Sequence, residues 1–445
     1  MDTQNINPQE TNEGLRLLEL AADAWHAGST FRETRRRCLD YTFGRQWLDP
    51  IMHEGRYITE YEYLLHEGAI PLQNNLIRRL VRNVLGVFRR HFNERYKPQG
   101  PLLEISKENR LPELYSRTFE EFLVSGMAIH RKRLGLNDGK TGIWTDNIPP
   151  RSFFYNKEAQ DPRGRDLSLL GVYHVIGFDD WCRNFVNSAQ DMERARRLFS
   201  HPGKRVRVTE IWRREQSERW LVHDREAGLL RRCLEKPSSN IPSLWTMKEV
   251  WRYYFITDNG TILKQGDSPY LHGRHPFVIK CYPFLDGEIH SFVGDIIDQQ
   301  RYTNRLITLY DWVIRASAKG VLLIPKGSMD PDELEDAANT WARFDGVIEY
   351  NAYNGMPAPQ QVSGNNTHLG ISELLEIQLK MLEDVSGVNA ALQGKLSSGL
   401  MSGTLYSQQT ENAITSLSDL LESYFSFIDE CSTLDTLLLQ QSQLR

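Results

Sequence analysis

Between Ile129 and about Val278 the apolar residues of this chain recur at every second position, whereas on either side they recur every three or four. A period of two belongs to a strand and a period of 3.6 to a helix. The chain must therefore set a sheet between helical segments, which excludes an all-helical or an all-β fold and predicts the α+β class. Val206, Val208, Glu210 and Trp212 alternate with Arg205, Arg207, Thr209 and Arg213, and Val250 to Ile256 is dense in aromatic and β-branched residues. Asn137-Asp138-Gly139 and Asp258-Asn259-Gly260 supply hairpin turns, because these residues tolerate positive φ. Trp144, Trp181, Trp212, Trp220, Trp245 and Trp251 fall in this stretch and are expected in its core.

The flanks read as helices. Glu13 to Thr42 opens with Leu15, Leu18, Ala22 and Trp25, and Leu111 to Ile129 is a further helix. Asn74 to Tyr96 has one apolar face (Leu76, Ile77, Leu80, Val84, Leu85, Val87, Phe88), with most of its arginines turned away. Helical character returns from Ile289 to Ala318, Gly320 stops it, and Val321 to Ile324 reads as a short strand. Asp330 then caps a helix with Pro331 at its first position, Gly346 to Tyr350 reads as a strand, and a Pro/Gly/Asn-rich loop runs to Asn366. One helix follows from Leu369 to Ser386 and another from about Thr404 to the end. At 445 residues, two or three domains are expected.

Composition closes off several classes. A net charge of −5 argues against a generic nucleic-acid coat, which is strongly basic. Five scattered cysteines with no CxxC pair read as free thiols in a reducing compartment. No cationic start leads into an apolar run, and stretches such as Gly320 to Pro325 are too short to cross a bilayer. The expectation is a soluble protein made inside a cell, with no membrane partner.

Between Gly387 and Gln409 the chain reads GVNAALQGKLSSGLMSGTLYSQQ, glycines among small neutral residues. It fails as a phosphate cradle: Asn389 stands where the first glycine is required, Leu396 where a Ser or Thr must hold magnesium, and a helix rather than a strand precedes it. His53-Glu54 and His66-Glu67 lack the second histidine of a zinc motif, and His272 with His275 makes two ligands, not a site. No GxSxG occurs, and Cys182 and Cys233 have no evident histidine partner. The acidic residues Asp330, Asp332, Glu333, Glu335 and Asp336 suit a solvated helix N-terminus. No catalytic residue, metal or cofactor is expected.

Charge is unevenly divided. Arginines recur from Arg32 to Arg95, whereas Ser328 to Val385 is acidic, with only Arg343 and Lys380 as cations. Two solvated faces explain this; so does an acidic wall past which DNA must slide.

Several short patterns resemble the portal proteins of tailed bacteriophages, in the same order along nearly the whole chain. They are YTFGRQWLD (Tyr41 to Asp49), NNLIRRLVRNVLG (Asn74 to Gly86), DIIDQQRYTNRLITLYDWVIRASAKGVLLIPKG (Asp295 to Gly327), SGVNAALQG and SGLMSGTLYSQQ. The resemblance implies a wing over 1–288 (helical to 128, β-rich from 129), a first stem helix over 289–318 and a clip over 319–366. A second stem helix over 367–386, a tunnel loop over 387–403 and a C-terminal helix over 404–445 toward a minimal crown complete it. It further implies a ring, usually of twelve copies, at the capsid portal vertex of a virion, assembled in the host bacterial cytoplasm. The ring would contact the major capsid protein, the large terminase, head-completion, adaptor and tail proteins, and double-stranded DNA without sequence preference, and would itself catalyse nothing. On this mapping Asn389, Gln393, Lys395, Ser397, Ser398 and Ser402 line the channel, and Glu373, Glu376, Glu383 and Asp384 form an acidic stem surface. Asp330, Asp332, Glu335 and Asp336 dock terminase or adaptor at the clip. Two other readings stay open: a minor capsid or scaffold protein without a channel, and a metal-dependent nuclease using the 330–336 cluster.

Overall fold

The computed structural model describes residues 8–137, 139–161, 164–201, 203–224, 229–233, 243–319, 321–324, 332, 334–337, 360–362, 370–389, 392–393 and 403–444. Contacts divide the chain into two units. One holds Met1–Phe43, Leu76–Ile297 and Glu383–Arg445, the other Gly44–Asn75 and Asp298–Leu382. The resemblance instead places all of 1–288 in one wing; contacts group Gly44–Asn75 with the residues after Ile297.

The N-terminal helical stretch is two helices, α1 (Pro8–Ala27) and α2 (Ser29–Thr42), divided at Gly28. A hairpin of β1 (Pro50–His53) and β2 (Arg56–Thr59) leads into α3 (Glu60–His66), which Thr59 and Glu62 start as a reciprocal capping box. In α4 (Leu76–Arg95) the apolar positions are buried as their period requires: Ile77, Leu80, Val81, Val84, Val87, Phe88 and Phe92. Next come α5 (Pro101–Glu108) and α6 (Leu111–Ser125). Gly126 ends α6 at φ +75°, where a Cβ would lie 2.5 Å from Ile289 Cγ2 and 2.8 Å from Tyr282 O. No other residue fits there.

The period-two region forms two antiparallel sheets. Its strands are β3 (Met127–Asn137), β4 (Lys140–Asn147), β5 (Phe153–Tyr155), β6 (Leu169–Ile176), β7 (Val206–Asp224), β8 (Leu229–Cys233), β9 (Ser243–Thr257), β10 (Ile262–Asp267) and β11 (Phe277–Cys281). One sheet runs β10-β9-β7-β6-β5 with β8 beside β7, and the other runs β11-β3-β4. Met127, Ile129, Phe153, Leu170, Trp212, Trp251 and Phe277 share one core cluster. Leu17, Ala21 and Ala24 of α1 pack with Phe154, Ile211 and Tyr254 in another. Between β6 and β7 stand two helices the alternation does not predict, α7 (Phe178–Phe185) and α8 (Ala189–Leu198), which bury Trp181 and Ala195 against Val208. The tryptophan expectation holds for Trp181, Trp212 and Trp251, but Trp245 is 49% exposed near the far end of the β7–β9 ribbon. Two short strands, β12 (Phe284–Leu285) and β13 (Glu288–Ile289), precede the long α9 (Phe292–Lys319).

In the second unit Gly44–Asn75 lies along α9 on a polar seam. Asn304 Nδ2 donates to Gln46 Oε1 (2.7 Å), Gln300 Nε2 to Asn74 O (2.7 Å), and the Leu72 N–H to Thr308 Oγ1 (3.0 Å). The Glu60 carboxylate accepts from Arg301 and Arg305. Strand β14 (Val321–Leu323) pairs with β15 (Gln360–Val362), which falls inside the stretch read as loop. The strand expected at Gly346 to Tyr350 lies outside the described residues.

The last helices are α10 (Ile371–Ser386), α11 (Gly403–Ser416) and α12 (Ser418–Gln443), so the single final helix is broken at Leu417. The resemblance sends it toward a crown. In the structure α12 buries Leu420, Tyr424, Phe427, Ile428 and Leu438 within the first unit, among the rings of Phe88, Phe119 and Phe122. The Tyr424 hydroxyl donates to Tyr115 O at 2.7 Å. Cys38, Cys182, Cys281 and Cys431 are free thiols.

Candidate functional site

After α10 the chain turns through Gly387 at φ +65°, and a Cβ there would meet Ser416 Oγ at 2.7 Å. That hydroxyl reaches Gly387 O at 3.2 Å, and Val388 is fully buried. Asn389 and Gln393 take part in closing this turn. The Leu392 N–H donates to Asn389 Oδ1 (3.0 Å), and Gln393 Nε2 donates to Val388 O (3.0 Å) and Glu383 Oε1 (3.1 Å). Both amides thus have partners within the single chain. Lys395, Ser397, Ser398 and Ser402 lie outside the described residues.

On α10, Glu373, Glu376 and Asp384 are exposed, and Glu383 is half-buried where Gln393 meets it. The sequence reading missed what stands beside them. Leu374, Ile377, Met381 and Val385 are also exposed, at steps of three and four. They form an apolar stripe next to the acidic one. Toward its C-terminal half α9 likewise exposes Leu309, Tyr310, Trp312 and Ile314. The spacing of all these residues was visible in the sequence, but spacing alone does not tell a covered apolar face from an open one. Asp332, Glu335 and Asp336 are exposed on a helical segment whose Ala337 is buried, and Asp330 lies outside the described residues.

The model of the family described as Phage P22-like portal protein matches residues 99–431. The chain belongs to that family. A search of curated proteins returns no match. Membership makes the chain a structural component of a phage virion, at the portal vertex of the capsid, and implies an oligomeric ring associated with that capsid. The matched residues take in both sheets, α9, α10 and most of α12; they leave out α1 to α4.

This portal protein also has a cleft of about 910 Å³ in its first unit, lined in part by Arg131, Arg133, His174, Glu210, Lys264 and Tyr270. Arg131 bridges Glu210 (2.8 Å) and Asp146 (2.9 Å), Arg133 meets Asp146 (3.0 Å), and His174 Nε2 meets Glu210 (2.7 Å). Burial would raise the Glu210 carboxyl, but Arg131, with His174 and the Trp212 indole, outweighs it and holds the group at about 2. These charges answer one another, which is the arrangement of a structural network. Part of its signal lay in the alternation, since Glu210 shares the phase of the buried Val208 and Trp212, although Thr209 and Ile211 of the other phase are buried too. A carboxylate buried there needs donors. His272 and His275, weighed above as ligands, are ring-packed instead, on Tyr270 and on Trp251, and their Nδ1 atoms accept the Arg274 and Phe277 backbone N–H groups. Among the described residues no group of three or more His, Cys, Asp or Glu is placed to hold a metal ion, and no helix is long and apolar enough to cross a membrane.

Proposed function

We propose that copies of this chain close into a ring whose lumen conducts double-stranded viral DNA during packaging and ejection. The ring docks the large terminase first and head-completion, adaptor and tail proteins later, through Asp330, Asp332, Glu335 and Asp336 of the clip. Twelve copies is the expected number, and α9 and α10 are the stem helices. The observation that carries this reading is the apolar stripe of α10, open in the single chain. A soluble protein seldom leaves such a stripe uncovered, and a neighbouring copy in a heterologous, closing arrangement covers it. The acidic stripe beside it then serves as channel wall, where carboxylates repel phosphates. Past the turn at Gly387, Lys395 and the serines up to Ser402 meet DNA through weak, exchangeable contacts. Base-specific contacts would instead create wells of about 1–3 kcal/mol each and hinder sliding.

Native mass and negative-stain images of the purified protein test the ring. Closed rings are expected, and Leu374→Asp with Met381→Asp should shift the mass toward the monomer. A monomer under every assembly condition, with coat protein present as well, would sink the reading. Deleting Lys395 to Ser402 should leave rings and procapsids intact while impairing packaging or DNA retention; collapsed rings would show the loop to be structural instead.

A further inference from the structure

Helix α4 carries Arg78, Arg79, Arg82, Arg89, Arg90 and Arg95 against one acid, Glu94, in a chain whose net charge is −5. Arg78 meets Glu120 at 2.5 Å and Arg95 meets Glu422 at 2.6 Å. The other four, Arg79, Arg82, Arg89 and Arg90, are exposed and have no ion pair or hydrogen bond among the described residues. Their spacing sets them on one stripe, opposite the buried Ile77, Val81, Val84 and Phe88. Like charges three and four residues apart repel, and Arg79 sits in the first turn, where the helix dipole disfavours a cation. Folding alone gives no reason for such a stripe.

Gly86 stands in its middle. A Cβ there would meet nothing within 4 Å, so packing inside the protein does not ask for glycine. A mid-helix glycine weakens a helix relative to alanine, and what it permits is close approach from outside. A surface complementary to four unpaired arginines is anionic. It is also not an ordinary protein face: α4 exposes no large apolar residue, and protein interfaces centre on buried apolar or aromatic anchors. From Arg79 to Arg90 the stripe runs about 16 Å, a length over which a duplex presents several phosphates.

We propose that Arg79, Arg82, Arg89 and Arg90, flanking Gly86, form a contact surface for the phosphate backbone of double-stranded DNA. It is independent of sequence and separate from the loop after α10. The stripe lies N-terminal to the residues the family model matches, and binding there does not require a channel.

The test is binding of the full chain to a short labelled duplex of random sequence, followed by anisotropy from about 50 to 200 mM salt. Replacing all four arginines by glutamine should lower the slope of log affinity against log salt by about 3.6 for each protomer engaged, about 0.9 per arginine, with the native mass unchanged. Replacing them by lysine should keep the slope. If the fourfold glutamine variant fails to fold, Arg82→Gln and Arg89→Gln should each remove about 0.9. An unchanged slope would overturn the proposal; an unchanged slope with altered native mass would in addition mark the stripe as a protein-binding face. Gly86→Leu should raise the melting temperature and weaken DNA binding, and equal affinity would overturn the close approach.

Discussion

Strand β3 presents two cations in succession, and a strand sends successive side chains to opposite faces. Arg131 reaches Glu210 of β7, and Lys132 reaches Asp435 of α12 at 2.7 Å. Both carboxylates are almost wholly buried, yet they shift in opposite directions. Burial pushes the Asp435 carboxyl above its usual range even against Lys132, whereas Glu210 is held at about 2. The difference is the number of donors. Glu210 is met by Arg131, His174 and the Trp212 Nε1–H (2.9 Å). Asp435 receives Lys132 through Oδ2, and its Oδ1 has no hydrogen-bond partner among the described residues. Burial penalises either charge; only a carboxylate with several donors recovers more than it loses.

The harshest way to break this comparison is Asp435→Ala. Lys132 has no exposed surface, so its ammonium would be left buried with Thr145 Oγ1 (2.9 Å) as its remaining partner. A loss of about 3–5 kcal/mol is expected in urea unfolding. Lys132→Met with Asp435→Leu should recover most of that loss, because the intact pair returns little beyond its own desolvation. A cost for Asp435→Ala under about 1 kcal/mol, the size of a surface pair, would refute the account.

Acid separates the two carboxylates next. The folded Glu210 lies at about 2 against an ordinary 4.5, so its contribution is fully present above about 4.5 and is lost as pH falls toward 2. The depression corresponds to about 3 kcal/mol. Asp435 runs the other way: its folded value is raised, so its contribution is present at low pH and lost as pH rises through the folded value. Stability measured at pH 6 and at pH 3 should fall less in Glu210→Gln than in the wild type. Equal falls in the two proteins would show that Glu210 does not drive the acid limb.

How much of this could be read from residues alone follows from the same physics. Period and turn chemistry are local, and they placed α4, α6, α9, α10, the β-rich region and the hairpin at Gly139, but not the division of its strands into two sheets. The helices α7 and α8 escaped because FDDWCRNF and AQDMERARRL are short and charged, inside a region dominated by alternation. Strand β15 escaped because its partner β14 is distant in sequence. Among the candidate site residues, Glu373, Glu376 and Asp384 of α10 were legible as solvated acids, whereas Glu383 is half-buried against Gln393. The engagement of Asn389 and Gln393 in a turn was not, since it depends on Glu383 and on backbone carbonyls brought together by the fold. The Lys132–Asp435 pair joins residues at opposite ends of the β-rich and helical segments, and no spacing rule links them.

Thr145→Val makes the gentlest change and sharpens the comparison most. Valine keeps the shape and the β-branch that strand β4 favours, and removes only the hydroxyl that accepts from Lys132 Nζ. Lys132 would then depend on Asp435 alone, much as Asp435 already depends on Lys132. Losing one hydrogen bond to a buried charge should cost about 1.5–3 kcal/mol, less than Asp435→Ala. Because the two substitutions share the Lys132 ammonium, their effects should not add, and a double-mutant cycle reads the coupling between Thr145 and Asp435 directly. Strict additivity would mean that the hydroxyl and the carboxylate act on Lys132 independently, and that donor and acceptor number does not explain the contrast between the two faces of β3.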